Sequence, residues 1–269
     1  MQPLLRVEHL VKQYAAGRSL RPISRLTALD GVSLAIASQT TLALVGESGS
    51  GKSTLALCIA CLEPPTSGSI LFEGVDVAAL AENQRRSVRS QIQLVFQDPA
   101  SSLNPRWTAL EIVSEPLAVQ RRFTEQERVE KTRALLDRVA LPRNVASRRA
   151  GELSGGQKQR LAIARALALE PKLIILDEAL SALDCSVQAQ ISNLLLELQS
   201  SLGLTYLFIT HDFAMAAHLA DQIAVMDRGR IVESGPAENI LRSPSHEATR
   251  SLLAATLRFA ETPTVMVNS

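Results

Sequence analysis

The segment Gly46-Glu47-Ser48-Gly49-Ser50-Gly51-Lys52-Ser53 fits the pattern G-x-x-x-x-G-K-S. It follows the apolar run Thr41 to Val45 and opens a helical pattern from Ser53 to about Leu62, which Pro64-Pro65 stops. In that setting the chemistry is phosphate binding. The glycines let successive backbone N–H groups turn inward around a β-phosphate, and the helix start adds positive potential. Lys52 can reach the β- and γ-phosphates of a nucleotide, and Ser53, followed by Thr54, can offer a hydroxyl to Mg²⁺. A second signal is Leu173-Ile174-Ile175-Leu176-Asp177-Glu178. An apolar strand ending in two acids puts both carboxylates at the C-terminal edge of a sheet, beside such a phosphate loop. There Asp177 can hold Mg²⁺ and Glu178 can act as general base toward a water. A third is Leu153-Ser154-Gly155-Gly156-Gln157. It is either a second anion-binding helix start or a plain helix cap.

The elements that must position these residues read as alternating strands and helices. Leu4 to Lys12, Ala28 to Ile36, Thr41 to Val45, Ile70 to Phe72, Ile92 to Phe96, Leu173 to Leu176, Thr205 to Ile209 and Ile223 to Met226 read as strands. Helical patterns cover Ser154 to Leu169, Gln188 to Leu202 and Ala214 to Ala220, with two short ones near Ala237 to Leu241 and His246 to Leu257. From Pro99 to about Leu153 the pattern is mainly helical, with Trp107 to Val119 and Glu125 to Val139 amphipathic. The spacing implies an α/β fold: a parallel sheet with helices on both faces. Arg18 to Arg25 reads as a basic loop, and the last dozen residues read as frayed.

Composition narrows the class. Of 269 residues 46% are hydrophobic and 20% charged, which provides a core and excludes disorder over most of the chain. Lys plus Arg is 28 and Asp plus Glu 27, and aromatics are 3%. Neither a broad basic face nor a stacking platform for nucleic acid is expected. The N-terminus does not read as a secretory signal, and no run of about 18 apolar residues spans a membrane, so a cytosolic chain is expected. Cys58, Cys61 and Cys185 are too few for a disulfide scaffold, and each reads as a packed small apolar residue.

Taken in order, these motifs resemble the nucleotide-binding subunit of an ABC transporter, over essentially the whole chain. Leu153 to Gln157 matches the ABC signature in full. Gln97 falls where the family has its Q-loop glutamine, Ser181-Ala182-Leu183-Asp184 matches the D-loop, and His211 matches the switch histidine. Tyr14 matches the aromatic that stacks on adenine, and a strand-end aromatic is its plainer reading. The resemblance implies a P-loop NTPase core with a parallel sheet, a small antiparallel β-subdomain and a helical subdomain insertion. The core with its β-subdomain is placed at 1–98 and 154–235, the helical subdomain at 99–153 and a C-terminal extension at 236–269. It further implies ATP and Mg²⁺ as cofactors, with Ser53, Gln97 and Asp177 toward the metal and Glu178, Gln97 and His211 as the catalytic set. Two such domains would meet head to tail, the Ser154-Gly155-Gly156-Gln157 turn and the Ser181 to Asp184 loop of one completing the phosphate site of the other.

Phe96-Gln97-Asp98-Pro99-Ala100-Ser101-Ser102-Leu103-Asn104-Pro105-Arg106 is similar to the oligopeptide, dipeptide and nickel import branch. The tail Pro244-Ser245-His246-Glu247-Ala248-Thr249-Arg250 is also similar, with Glu247-Ala248 where that branch has Pro-Tyr. Ala179-Leu180 stands where the family most often has Pro-Thr or Pro-Val. The branch implies an ATPase subunit energising peptide uptake, peripheral at the cytoplasmic face of the inner membrane. It would work with two membrane-spanning permease subunits, a second homologous ATP-binding subunit and an extracytoplasmic substrate-binding protein, and without nucleic acid. The alternatives are nickel or metal-chelate import by the same branch, and a soluble ABC ATPase outside transport.

Overall fold

The computed structural model describes residues 2–16, 24–121 and 123–260. Most of the expected basic loop, residues 18–23, and the tail residues 261–269 lie outside the described residues. The elements run β1 (Leu5–Ala16), β2 (Ser24–Ile36), β3 (Thr41–Val45), α1 (Lys52–Ile59), β4 (Ser67–Phe72), β5 (Val75–Asp76), α2 (Glu82–Gln91) and β6 (Ile92–Val95). Then come α3 (Pro99–Ser102), α4 (Ala109–Gln120), α5 (Glu125–Arg138), α6 (Gly155–Leu167), β7 (Leu173–Asp177), α7 (Cys185–Leu202), β8 (Thr205–Thr210) and α8 (Phe213–Leu219). The chain closes with β9 (Gln222–Asp227), β10 (Arg230–Pro236), α9 (Ala237–Arg242) and α10 (Glu247–Ala260).

The expected parallel sheet is present, with strand order β10-β9-β3-β8-β7-β6. All neighbours in it are parallel except β10, which pairs antiparallel with β9. A second, antiparallel sheet has the order β2-β1-β4-β5. Period-2 alternation divides the parallel sheet into two faces. Val45, Ile174, Leu176, Tyr206 and Phe208 belong to one apolar cluster, together with residues of α4 to α8. Leu44, Leu173, Ile175, Leu207 and Ile209 belong to the other, with α1 and the antiparallel sheet. Because β3, β6, β7, β8 and β9 run in one direction, the loops that follow them emerge on one edge. Among those loops are the phosphate loop, the Gln97 loop, the two acids and His211.

Between Pro99 and Leu153, α4 and α5 start on capping boxes. Thr108 Oγ1 accepts from Glu111 N–H, and Thr124 Oγ1 from Glu127 N–H. Their buried faces, Ile112, Val113, Leu117 and Leu136, join the cluster that holds α6. Three elements have no counterpart in the sequence reading, the two-residue β5 among them. Helix α2 carries the polar run ENQRRSVRSQ with Val88 as its buried residue, so apolar periodicity is missing. Polar ties hold it instead: Arg89 Nη2 donates to Cys61 O at 2.8 Å, Arg85 Nη2 to Ala78 O at 3.0 Å, and Arg89 pairs with Glu82. Strand β10 is an exposed edge with mixed polarity.

The central strand β8 has every residue buried. Phe208→Ala should therefore cost about 3–5 kcal/mol, a cavity too large for the sheet to close. Urea unfolding should give a lower midpoint with an unchanged slope. A loss below about 1 kcal/mol would contradict this packing.

Candidate functional site

The phosphate loop is built by close backbone approach. Gly49 and Gly51 have φ of 83° and 109°. A Cβ on Gly46 would stand 2.3 Å from Met226 O, and one on Gly51 2.5 Å from Ala28 O. Only glycine fits at both places. The loop is backed by the turn between β9 and β10: Gly229 N–H donates to Ser50 O at 2.9 Å, and Asp30 N–H to Gly229 O at 2.8 Å. Arg230 pairs with Asp30 at 2.7 Å and straps β10 to β2. These backing residues were not among the sequence candidates; the signals for them are the turn dipeptides Asp30-Gly31 and Arg228-Gly229.

Lys52 opens α1 and is 4% exposed. Its ammonium donates to Gly46 O at 2.7 Å and Glu47 O at 2.8 Å, so it curls over the loop. Ser53 Oγ donates to Asp177 Oδ1 at 3.2 Å, which joins the phosphate loop to the end of β7. Glu178, the next residue, has φ of 47°, an uncommon backbone for a side-chain-bearing residue. That turn brings its carboxylate to two partners. Gln97 Nε2 donates to Glu178 Oε2 at 3.1 Å, and His211 Nδ1 lies 3.6 Å from the same oxygen. The turn is closed by Ser181, whose N–H and Oγ both donate to Glu178 O. Ala179 and Leu180, which replace the family's usual pair, are buried in the core. Gln188 Nε2 donates to Leu180 O at 3.0 Å and holds the segment without proline.

The remaining candidates are engaged elsewhere. Ser154 Oγ accepts from Gln157 N–H at 3.3 Å and Gln157 Oε1 accepts from Ser154 N–H at 3.1 Å, a capping box on α6. Gly155 lies against Leu183, and a Cβ on Gly156 would meet Val187 Cγ1 at 2.7 Å, so packing on α7 alone requires that glycine. Asp184 caps α7, its Oδ1 accepting from Val187 N–H and Ser186 Oγ at 2.9 Å. Tyr14 pairs with Leu26 in β2, two residues before the Ala28 carbonyl that faces Gly51. Lys12 Nζ lies 4.9 Å from the Tyr14 ring centroid. Glu47, Ser48 and Gly49 are exposed at the loop tip, and Thr54 is half-buried on α1.

The family model described as ABC transporter matches residues 29–181. A probable peptide ABC transporter ATP-binding protein of Sinorhizobium fredii is 48% identical over 94% of this chain and 72% of its own length.

This chain belongs to the ABC transporter family.

An oligopeptide transport ATP-binding protein of Mycobacterium bovis is 50% identical over 94% of the chain. The chain spans 42% of that relative's length. The structure is similar, with a TM-score of 0.78 and 32% identity over 87% of the chain and 98% of its counterpart, to a dimeric ATP-binding cassette in a post-hydrolysis state bound to ADP and Pi.

Within this ABC transporter fold the donor set suits a magnesium nucleotide. A cradle closed to a Cβ at Gly46 and Gly51, one buried ammonium and two adjacent hard oxygen ligands, Ser53 Oγ and Asp177 Oδ1, are the groups such a ligand requires. Burial pulls the Lys52 pKa down, against the attraction of Glu178, Asp177 and Glu47. Burial pushes the Asp177 carboxyl up, against the Ser53 hydrogen bond, with Glu178 adding to the rise and Lys52 opposing it. Cys58 is buried and its thiol is pushed up to about 11 by that burial, so it behaves as a packing group. Cys61 is also buried. Cys185, expected to be packed, is exposed instead, because it is the first residue of α7 beyond the Asp184 cap and stands outside the core. Among the described residues no cluster of three or more His, Cys, Asp and Glu could hold a metal without a nucleotide's help. Nor is any helix long and apolar enough to cross a membrane.

The Asp177 shift carries a sign. Charging this carboxylate costs the folded state, so the penalty is absent below the unfolded pKa of about 3.9 and fully present above the raised folded pKa. At neutral pH Asp177→Asn should raise the melting temperature of the ligand-free chain while weakening its Mg²⁺-dependent nucleotide affinity. A lower melting temperature would contradict the assigned burial cost.

Proposed function

We propose that the chain is the ATP-binding and hydrolysing subunit of an importer that energises uptake of peptides across the inner membrane, on whose cytoplasmic face it sits. The observation that carries the reading is the convergence of Ser53, Asp177, Glu178, Gln97 and His211 beside a glycine cradle that holds a buried lysine. In this reading the loop amides from Gly46 to Thr54 and Lys52 hold the β- and γ-phosphates of ATP. Ser53, Asp177 and Gln97 hold Mg²⁺, which when bound neutralises charge on the phosphates. Tyr14 stacks on the adenine. Glu178 accepts a proton from the attacking water, which Gln97 orients. His211 donates a hydrogen bond to a γ-phosphate oxygen. The Ser53–Asp177 and Gln97–Glu178 hydrogen bonds keep these groups in place before the ligand arrives.

Ser154, Gly156 and the loop Ser181 to Asp184 serve the site of a second, homologous ATP-binding subunit that faces this one head to tail. The capping box takes up the Ser154 and Gln157 N–H groups, and in this reading those of Gly155 and Gly156 at the α6 start face the anion. Residues 1–98 and 154–235 act as the ATPase core, 99–153 as the helical subdomain and 236–269 as the extension. A groove lined by Arg86, Arg89, Phe96, Val119 and Arg165 runs between α2, β6 and the helical segment. It receives a short cytoplasmic helix of one of two membrane-spanning permease subunits. Gln97, two residues beyond β6, links that groove to the nucleotide. An extracytoplasmic substrate-binding protein delivers the peptide. The names of the similar Mycobacterium and Sinorhizobium proteins support peptide over nickel or metal-chelate transport.

Two experiments test this reading. Glu178→Gln keeps size and loses the base, so ATP should bind while turnover falls by about 100-fold or more; an unchanged turnover would remove Glu178 from its role. In the complex reconstituted with permease and binding protein, di- and oligopeptides should raise ATP turnover. A rise with nickel chelates alone would change the substrate and leave the site standing.

A further inference from the structure

The tail segment from Pro244 to Arg250 is tied to β10 by one carboxylate, and within the segment Arg250 Nη1 donates to Ser245 O at 2.7 Å. Glu233, on β10, points at the start of α10. Its Oε1 accepts from the Ser245 N–H at 2.7 Å and from Ser245 Oγ at 2.8 Å. Its Oε2 accepts from the His246 N–H at 3.1 Å and from the hydroxyl of Thr249, which is fully buried. One side chain from another element thus satisfies donors that a helix start leaves open. Burial pushes this carboxyl up, but the bonds from Ser245, Thr249 and His246 outweigh it and hold the pKa at about 2. The donors belong to residues 245, 246 and 249, so the Glu247-Ala248 departure leaves the clamp whole.

Helix α10, so anchored, lies on α8. Leu252 and Leu253 pack against the cluster that contains Phe213, Ala216 and Leu219 of α8. Helix α8 has seven residues, too few to hold itself, so its position is set by what packs on it. Its cap, Asp212, accepts from the Ala214 N–H at 2.7 Å and donates its own N–H to Thr210 Oγ1 at 3.0 Å. Asp212 thus joins the start of α8 to the backbone beside His211, whose Nδ1 lies 3.6 Å from Glu178 Oε2.

We propose that Glu233 is a positioning residue for hydrolysis: by anchoring α10 on α8 it sets where His211 stands relative to Glu178. This rests on the reading of Glu178 and His211 as hydrolytic groups.

The test uses the complex of this chain with its second ATP-binding subunit and the permease, with ATP and Mg²⁺. Glu233→Gln turns an amide N–H₂ toward two donors and should lower kcat about tenfold, with KM for ATP held within about twofold. Thr249→Val removes one donor and should act in the same direction more weakly. In a His211→Ala background Glu233→Gln should add no further loss, since both act through one group. Amide hydrogen exchange at residues 211–219 should rise in Glu233→Gln, while α1 stays protected. Additive losses in the double variant, or exchange changes confined to residues 245–260, would overturn the proposal. A wild-type complex with no ATP turnover would sink the hydrolytic reading instead, and the exchange measurement would still decide whether Glu233 governs α8.

Discussion

Parallel strands that end on one edge of a sheet are the constraint on which the rest of this structure depends. A parallel strand must be re-entered from the same side, so every intervening segment returns over the sheet and each following loop opens on the same edge. Here that edge collects a lysine, two carboxylates, a glutamine and a histidine from four separate stretches of chain. Their convergence has an electrostatic consequence. Burial disfavours the charged forms of Lys52 and Asp177, and their mutual attraction opposes that cost. Glu178 adds a backbone constraint. With φ of 47° it leaves the β7 direction at once, and its N–H still donates to Ile209 O at 3.0 Å. The carboxylate is thereby held at the edge between Gln97 and His211 rather than continuing along the strand.

Much of this was legible in the sequence because the decisive elements bury both faces. Thr41 to Val45, Leu173 to Leu176 and Thr205 to Ile209 are apolar runs that suit no other place than the middle of a covered sheet. Gly46 and Asp177, which end the first two, could be placed from those runs, whereas His211, two residues past Ile209, was assigned through the resemblance to the family's switch histidine. The illegible parts are those held by polar contacts between distant residues. Helix α2 has no apolar stripe and rests on arginine-to-carbonyl bonds. Strand β10 is a half-exposed edge whose partners, Asp30 and the α10 start, come from opposite ends of the chain. Cys185 reads as a packing residue by composition, and only the Asp184 cap shows that it stands outside the core. Local pattern reports burial, and these positions are decided by hydrogen-bond partners far away in sequence.

Serine 154 illustrates why a motif and its role are separate matters. Its hydroxyl caps its own helix, and Gly156 is needed for packing on Val187, so the chain alone accounts for both residues. The proposed service to a partner's phosphate is an additional use of the same helix start. The same economy holds at β10. One end of that strand backs the phosphate loop through Gly229 and Arg230, and Glu233 further along anchors the tail. Phosphate loop, His211 and C-terminal helix are thus joined through one edge strand and one short helix.

The most direct test of the central claim is the structure of the full chain with a non-hydrolysable ATP analogue and Mg²⁺. The γ-phosphate should lie within hydrogen-bonding distance of the Lys52 ammonium and the His211 ring. Lys52 should have let go of the Gly46 and Glu47 carbonyls, and the metal should be bonded to Ser53 Oγ. A nucleotide bound away from the Gly46–Ser53 loop, or a γ-phosphate out of reach of both Lys52 and His211, would contradict it.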